Sequence, residues 1–272
     1  MSDLKLLNIK TNKLIKKQRI VKHNIREYIE DNIEELLGVK IIFKDFDLLG
    51  NGDLVEVLGY DENFRLVLIE YRAGKFSNVV NKGLVFLDYI KNNSSRVKTL
   101  INGSIGYDKS NSLNYNPRII VIGDDFNQFD EYAIKQMPHT IDLIKYQIFE
   151  NKYLLLEKNY QSKKIETGLN PYHFKNKDEY NLYKSISDFL LALGDEVCEV
   201  NENNYIVYRK IKNFLYIMFD NGIELKLKKT NFKTIKIKNI RDFEKAQLEI
   251  ELCYDENWVK CFIWRQSHYC CS

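Results

Sequence analysis

The sequence predicts a mixed α/β fold: a mixed sheet flanked by helices, followed by a smaller α+β domain. Three observations carry this. Segments with apolar residues at helical spacing interleave with short runs at strand spacing over the first 160 residues or so. One of those runs, Arg118–Gly123 (RIIVIG), is continuously apolar after its arginine, as suits a strand buried on both faces. A polar stretch at 158–175, with Gly168 and Pro171, then separates these elements from a helix and an antiparallel meander. The expected domains are 1–160 and 172–272.

The elements follow in order. Residues 24–37 place Ile25, Ile29, Ile33, Leu36 and Leu37 on one helical face, and Gly38 suits the helix end. Strands are expected at Val39–Phe43, Leu54–Tyr60 and Leu66–Arg72, then a helix over 78–92. After the 118–123 strand come a helix at Asp130–Gln136, closed by Pro138, and two strands in Ile141–Glu157 hinged at Glu150-Asn151. The second domain reads as a helix at Asp178–Leu193 ended by Gly194. Strands follow at Tyr205–Lys210, Phe214–Phe219, Ile223–Leu227 and Thr234–Ile237, with an Asn221-Gly222 turn.

Composition narrows the class. Apolar residues make up 44% and charged residues 29%, enough to bury a core. No apolar run approaches the ~20 residues of a membrane helix, and Met1–Lys22 lacks a signal-peptide core. The expectation is a cytoplasmic protein with no membrane partner. Five cysteines form no CxxC pair, and His268 beside Cys270 and Cys271 fits no common zinc spacing. There is no P-loop and no nucleophile elbow. The four histidines are scattered, without a pair at metal-ligand spacing.

Net charge is +3, but residues 1–26 hold eight Lys/Arg against the single acid Asp3. Lys16, Lys17 and Arg19 in this stretch are candidate phosphate contacts, and so is Lys75. A second basic stretch runs from Lys226 to Arg241; it reads as a sheet edge kept soluble by charge before a phosphate-binding face.

The chemistry concentrates in one hairpin. If the strands flanking Asp61-Glu62-Asn63-Phe64 are symmetric about Asn63, Glu56 falls opposite Glu70. Alternation puts Glu70, Arg72 and Glu56 on one face. Facing carboxylates repel, and a shared Mg²⁺ or Mn²⁺ relieves that repulsion. A β-bulge between Asp53 and Glu56 would put Asp53 there instead.

The run Leu58–Asn63 followed by Val67-Leu68-Ile69-Glu70-Tyr71-Arg72 resembles the core of NucS-like members of the PD-(D/E)XK nuclease superfamily. Lys82–Tyr89 (KGLVFLDY), Pro117–Phe126 (PRIIVIGDDF) and Ile141–Tyr146 (IDLIKY) follow the same pattern, so the resemblance spans about residues 20–157. Residues 172–270 are similar to a domain of unknown function often attached to such cores. The resemblance implies a restriction-endonuclease-like fold and a Mg²⁺- or Mn²⁺-dependent endonuclease acting on nucleic acid, DNA before RNA. It places metal carboxylates at Glu56 and Glu70, a helix-borne acid at Glu30 (or Glu34), the motif lysine at Arg72 and the helix glutamine at Lys82. Glu for Asp, Arg for Lys and Lys for Gln are three departures in one site. They suit a rewired nuclease, with Lys82 from the neighbouring helix or Lys75 from the following loop supplying the missing ammonium, or a non-catalytic binding or interaction module on a degenerate nuclease fold. Oligomeric state is open, a homodimer included.

Overall fold

The computed structural model describes residues 6–18, 23–72, 78–150, 152–161, 174–202, 204–229, 231–256 and 262–263. A short hairpin of β1 (Leu6–Asn8) and β2 (Lys13–Ile15) precedes β3 (Lys17–Gln18). The expected first helix is two: α1 (His23–Asp31) and α2 (Ile33–Leu37), parted at Asn32. Gly38 closes α2 in the left-handed region, its N–H donating to Glu34 O, as a C-cap glycine does.

Three antiparallel strands follow, β4 (Val39–Asp47), β5 (Leu54–Asp61) and β6 (Arg65–Tyr71), then α3 (Val79–Asn92). Two helices that apolar periodicity does not reveal come next, α4 (Ser94–Ile105) and α5 (Tyr107–Ser112). The first unit then runs through β7 (Asn114–Gly123), α6 (Gln128–Lys135), β8 (Ile141–Phe149) and β9 (Tyr153–Gln161). The sheet order is β4-β5-β6-β7-β8-β9, with β6, β7 and β8 parallel and the outer pairs antiparallel. This is the mixed sheet expected.

Helices cover both faces. Ile119 and Val121 of β7 pack with α3 and α4, through Phe86, Ile90, Val97 and Ile101. Ile120 and Ile122 pack on the other side with Ile29, Ile33 and Leu37 of α1 and α2. Both faces of β7 are therefore dry, which is why its sequence is continuously apolar rather than alternating.

The second unit begins with α7 (Lys177–Ala192). Its sheet is β10 (Cys198–Asn201), β11 (Tyr205–Arg209), β12 (Asn213–Met218), β13 (Ile223–Leu227) and β14 (Lys233–Ile237), antiparallel throughout and in chain order. The meander matches expectation, with Gly222 at φ 99° in its turn. It also has a strand, β10, and a long helix, α8 (Ile240–Glu256), that the sequence reading lacked. Tyr183, Ile186 and Leu190 of α7 share one core with Phe243, Ala246 and Ile250 of α8. The last strand, β15 (Phe262–Ile263), returns to pair with β9 of the first sheet. The chain beyond residue 172 is thus not confined to the second unit. The polar stretch expected as linker also starts later than 158, since β9 runs to Gln161.

The units meet across a buried polar interface. Arg118 reaches Asp61 (3.1 Å) and Asp142 (2.8 Å), while Arg209 of β11 lies 3.8 and 3.6 Å from the same two acids. Lys158 adds a third cation, 3.8 Å from Asp142 and donating to Lys210 O at 3.1 Å. Arg118, Asp142, Lys158 and Arg209 side chains are each 3% exposed or less. Burial alone would favour protonated Asp142, but Lys158, Arg209 and Arg118 hold its carboxyl below the usual range. The tip of the β5–β6 hairpin is also gripped: Asn213 Nδ2 donates to Asn63 Oδ1 (2.9 Å), Asn213 N to Glu62 Oε2 (3.0 Å), and Lys228 pairs with Glu62. Among the described residues no helix is long and apolar enough to cross a membrane.

Candidate active site

The β5–β6 register is symmetric about Asn63, with Val57 opposite Ile69 and Gly59 opposite Val67. Regular pairing stops at Val57–Ile69, and the two acids occupy the next step. There the Glu56 side chain turns into the gap between the strands, where Oε2 accepts from Tyr71 N–H. Glu70 Oε1 lies 3.4 Å from Glu56 N. Each carboxylate therefore takes a backbone hydrogen bond from the opposite strand. The other Glu56 oxygen has no hydrogen-bond partner among the described residues.

Glu70 is 1% exposed, on the face of β6 that meets α3. Lys82, in the first turn of α3, brings Nζ to 2.6 Å from Glu70 Oε2. The next residue explains how it reaches. A Cβ on Gly83 would stand 3.0 Å from Ile119 Cγ2, so the glycine lets the helix lie close to the sheet. Burial pushes the Glu70 carboxyl up to about 7; Lys82 works against that and the neighbouring Glu56 adds to it.

Glu30 of α1 is buried but does not join the pair. It is held by Arg26 Nε (2.6 Å) and Lys44 Nζ (3.1 Å). Its link to the hairpin is indirect: Arg26 also bonds Asp45 (2.7 Å) and reaches Glu56 O (3.3 Å), with its guanidinium 5.5 Å over the Tyr71 ring. Glu34, the alternative, pairs with Lys40 at the surface. Among the described residues no three His, Cys, Asp or Glu side chains converge as a metal site.

Arg72, its side chain 3% exposed, pairs with Asp130 of α6, and its guanidinium sits 5.4 Å from the Phe126 ring. Asp53 is exposed and bonds within its own turn to Asn51, so it does not replace Glu56. Lys16 and Lys17 are exposed beside the C-terminal end of β8, where Glu150 N donates to Lys16 O. Arg19 and Lys75 lie outside the described residues, as do His268, Cys270 and Cys271.

Three cations of the second basic stretch are paired: Lys228 with Glu62, Lys233 with Glu249, Lys236 with Glu224. Sequence reasoning missed Arg26, Lys44, Asp45 and Asp130 as neighbours of the site. Two of these had a local signal: Arg26 stands four residues before Glu30 on α1, and Asp130 shows the Asn127-x-x-Asp130 spacing of the capping box that starts α6.

Chemically, the arrangement is two adjacent carboxylates at the end of a hairpin with one ammonium beside them. A hard divalent cation binds through one or two carboxylates and keeps several waters, so Glu56 and Glu70 are of the donor type that would hold Mg²⁺ or Mn²⁺. No protein-family model matches the chain, and no curated protein or solved structure matches it either.

Proposed function

We propose that the protein is a divalent-metal-dependent phosphodiesterase acting on nucleic acid, built on a restriction-endonuclease-like domain. One observation carries this reading. Glu56 and Glu70 meet where the β5–β6 ladder ends, with the Lys82 ammonium 2.6 Å from Glu70. Glu56 and Glu70 would hold the cation, which supplies an activated water and offsets charge on the phosphate.

The chain's own residues do the rest. Tyr71 N–H and Lys82 fix the two carboxylates in place. Lys82, on the more exposed side of its pair, is placed to take a phosphate oxygen. Lys82 thus fills from the helix the role that the motif lysine plays in the resembling family, while Arg72 pairs with Asp130. Arg26 anchors Glu30 and Asp45 to the backbone of Glu56 and keeps the hairpin end rigid.

The test is cleavage of a panel of single-stranded, duplex and branched DNA and RNA with Mn²⁺ or Mg²⁺. Cleavage abolished by EDTA and by Glu70→Gln supports the reading. Purified protein that cleaves nothing and binds neither cation overturns it.

A second reading has one observation in its favour. The Lys82–Glu70 pair already balances the buried charge, as a non-catalytic nucleic-acid-binding module would need. That reading predicts salt-sensitive binding that survives Glu56→Gln and Glu70→Gln.

A further inference from the structure

The hairpin of β1 and β2, with β3 after it, forms a cationic arm. The hairpin is a two-stranded sheet of its own, and Asn8 Oδ1 sets its turn by accepting from Lys10 N (3.0 Å) and Thr11 N (3.2 Å). Lys10, Lys13, Lys16 and Lys17 are all exposed, and none of the four has a salt-bridge partner among the described residues. Between Asp3 and Glu27 the chain carries no acid that could balance them. Glu150 meets the arm through its backbone N–H, which donates to Lys16 O. Leu7 and Leu14 face each other across the ribbon and are 52% and 60% exposed. A lone two-stranded hairpin is marginally stable in water, and unbalanced like charges weaken it further. A polyanion laid along it relieves both.

The sheet register ties this arm to the candidate site. Glu70 stands level with Val121 of β7, and Val121 with Leu143 of β8. β3 pairs with β8 at Ile148 and Phe149, whose other side is taken by β9, so β3 continues the column that β7 leaves at Gly123. Lys17, opposite Phe149, is therefore one column from β6 and, from Leu143 to Phe149, about 20 Å along the strands from the level of Glu70. That is the length of about six base pairs, so one bound duplex reaches both.

We infer that β1, β2 and β3 form an arm that grips duplex DNA: the ribbon lies in the major groove with its lysines on the flanking phosphates, while the Glu56–Glu70 site meets a phosphate of the same duplex. The inference rests on the phosphodiesterase reading for the class of ligand and names its substrate as double-stranded. The major groove of B-form DNA admits a two-stranded ribbon, whereas that of an RNA duplex is too narrow, and a single strand has no groove. Leu7 and Leu14 supply the apolar surface that thymine methyl groups meet there.

The test is fluorescence anisotropy with a short labelled mixed-sequence DNA duplex, its single strand and the matching RNA duplex, in EDTA to prevent cleavage and over a range of salt. The proteins are wild type, Lys10→Gln/Lys13→Gln/Lys16→Gln/Lys17→Gln, the same four lysines changed to Arg, and a control of equal charge, Lys98→Gln/Lys109→Gln/Lys177→Gln/Lys184→Gln, on α4, α5 and α7. All eight side chains are exposed, so every variant should keep the wild-type Tm. The arm glutamines should lower DNA-duplex affinity about tenfold or more and make its dependence on log salt shallower by about two or more. The arginine version and the control should stay within about twofold of wild type. Unchanged duplex affinity and salt slope in the arm glutamines overturn the inference. So do an equal loss in the control, an equal loss toward single strand, or a wild type that binds DNA duplex no better than RNA duplex.

Mn²⁺ binding and cleavage, read in parallel, separate the two claims. Duplex binding lost with the arm lysines in a protein that binds no Mn²⁺ supports the arm and removes the phosphodiesterase. Mn²⁺-dependent cleavage with unaltered duplex binding in the arm glutamines does the reverse.

Discussion

Lys82 Nζ lies 2.6 Å from Oε2 of Glu70. A residue from the first turn of α3 thus partners a carboxylate in the middle of the sheet, while Arg72, two residues after Glu70 and just past the end of β6, pairs with Asp130. The positive charge of the site comes from the helix and not from the strand.

Lys82→Met should therefore lower metal-dependent cleavage by about a hundredfold or more, the range seen when one donor to a developing anion is lost. Mn²⁺ binding should persist, because the carboxylates remain. Arg72→Met should act mainly on stability, since it leaves Asp130 without its partner. Single-turnover cleavage and urea unfolding of the two variants check the contrast.

The raised Glu70 carboxyl has a consequence for metal-free protein. Its folded value, about 7, lies above the unfolded range of glutamate, so the folded state holds this proton more tightly. The contribution to stability is then fully present below the unfolded value and lost as pH rises through about 7. The loss is roughly 3 kcal/mol at most. Urea titrations in EDTA from about pH 5 to about pH 8 should show it, and Glu70→Gln should remove most of that slope. A flat wild-type profile across this window contradicts the assigned burial of a charged Glu70.

The buried interface makes a separate demand. Arg209 is 1% exposed between Asp61 and Asp142. Replacing it with Met strands part of two buried charges and should cost about 3–5 kcal/mol. Because Asp61 and Asn63 sit at the tip of the hairpin that carries Glu56 and Glu70, hydrogen exchange at residues 61–65 should accelerate in the same variant. Acceleration confined to the second unit would mean that the interface does not brace the hairpin.

The sequence made some of this legible and hid the rest for physical reasons. The Glu56–Glu70 juxtaposition follows from strand pairing about Asn63, a local rule, and the structure keeps that register. The continuous run at 118–123 marked a strand buried on both faces because side-chain burial is written directly in residue type. The pairing of Arg72 with Asp130 was not legible, because alternation fixes the face of a strand residue but not the partner of a long side chain past the strand's end. Glu30 was expected to orient the metal; in the structure it pairs with Arg26, one helical turn before it, and with Lys44, which the strand pattern gave no reason to place there. Helix α4, with Val97 and Ile101 as its buried residues, has too sparse an apolar face to announce itself. The long helix α8 follows a lysine-rich strand, and the charge of that region masked its buried Phe243, Ala246, Ile250 and Cys253.

The central claim is that Glu56 and Glu70 hold one divalent cation together. The measurement that tests it most directly is Mn²⁺ binding at pH 8 or so, by calorimetry or electron paramagnetic resonance, in wild type, Glu56→Gln and Glu70→Gln. The account predicts one site in the wild type, weakened at least tenfold by either substitution. No binding in the wild type, or binding that both variants retain in full, would contradict it.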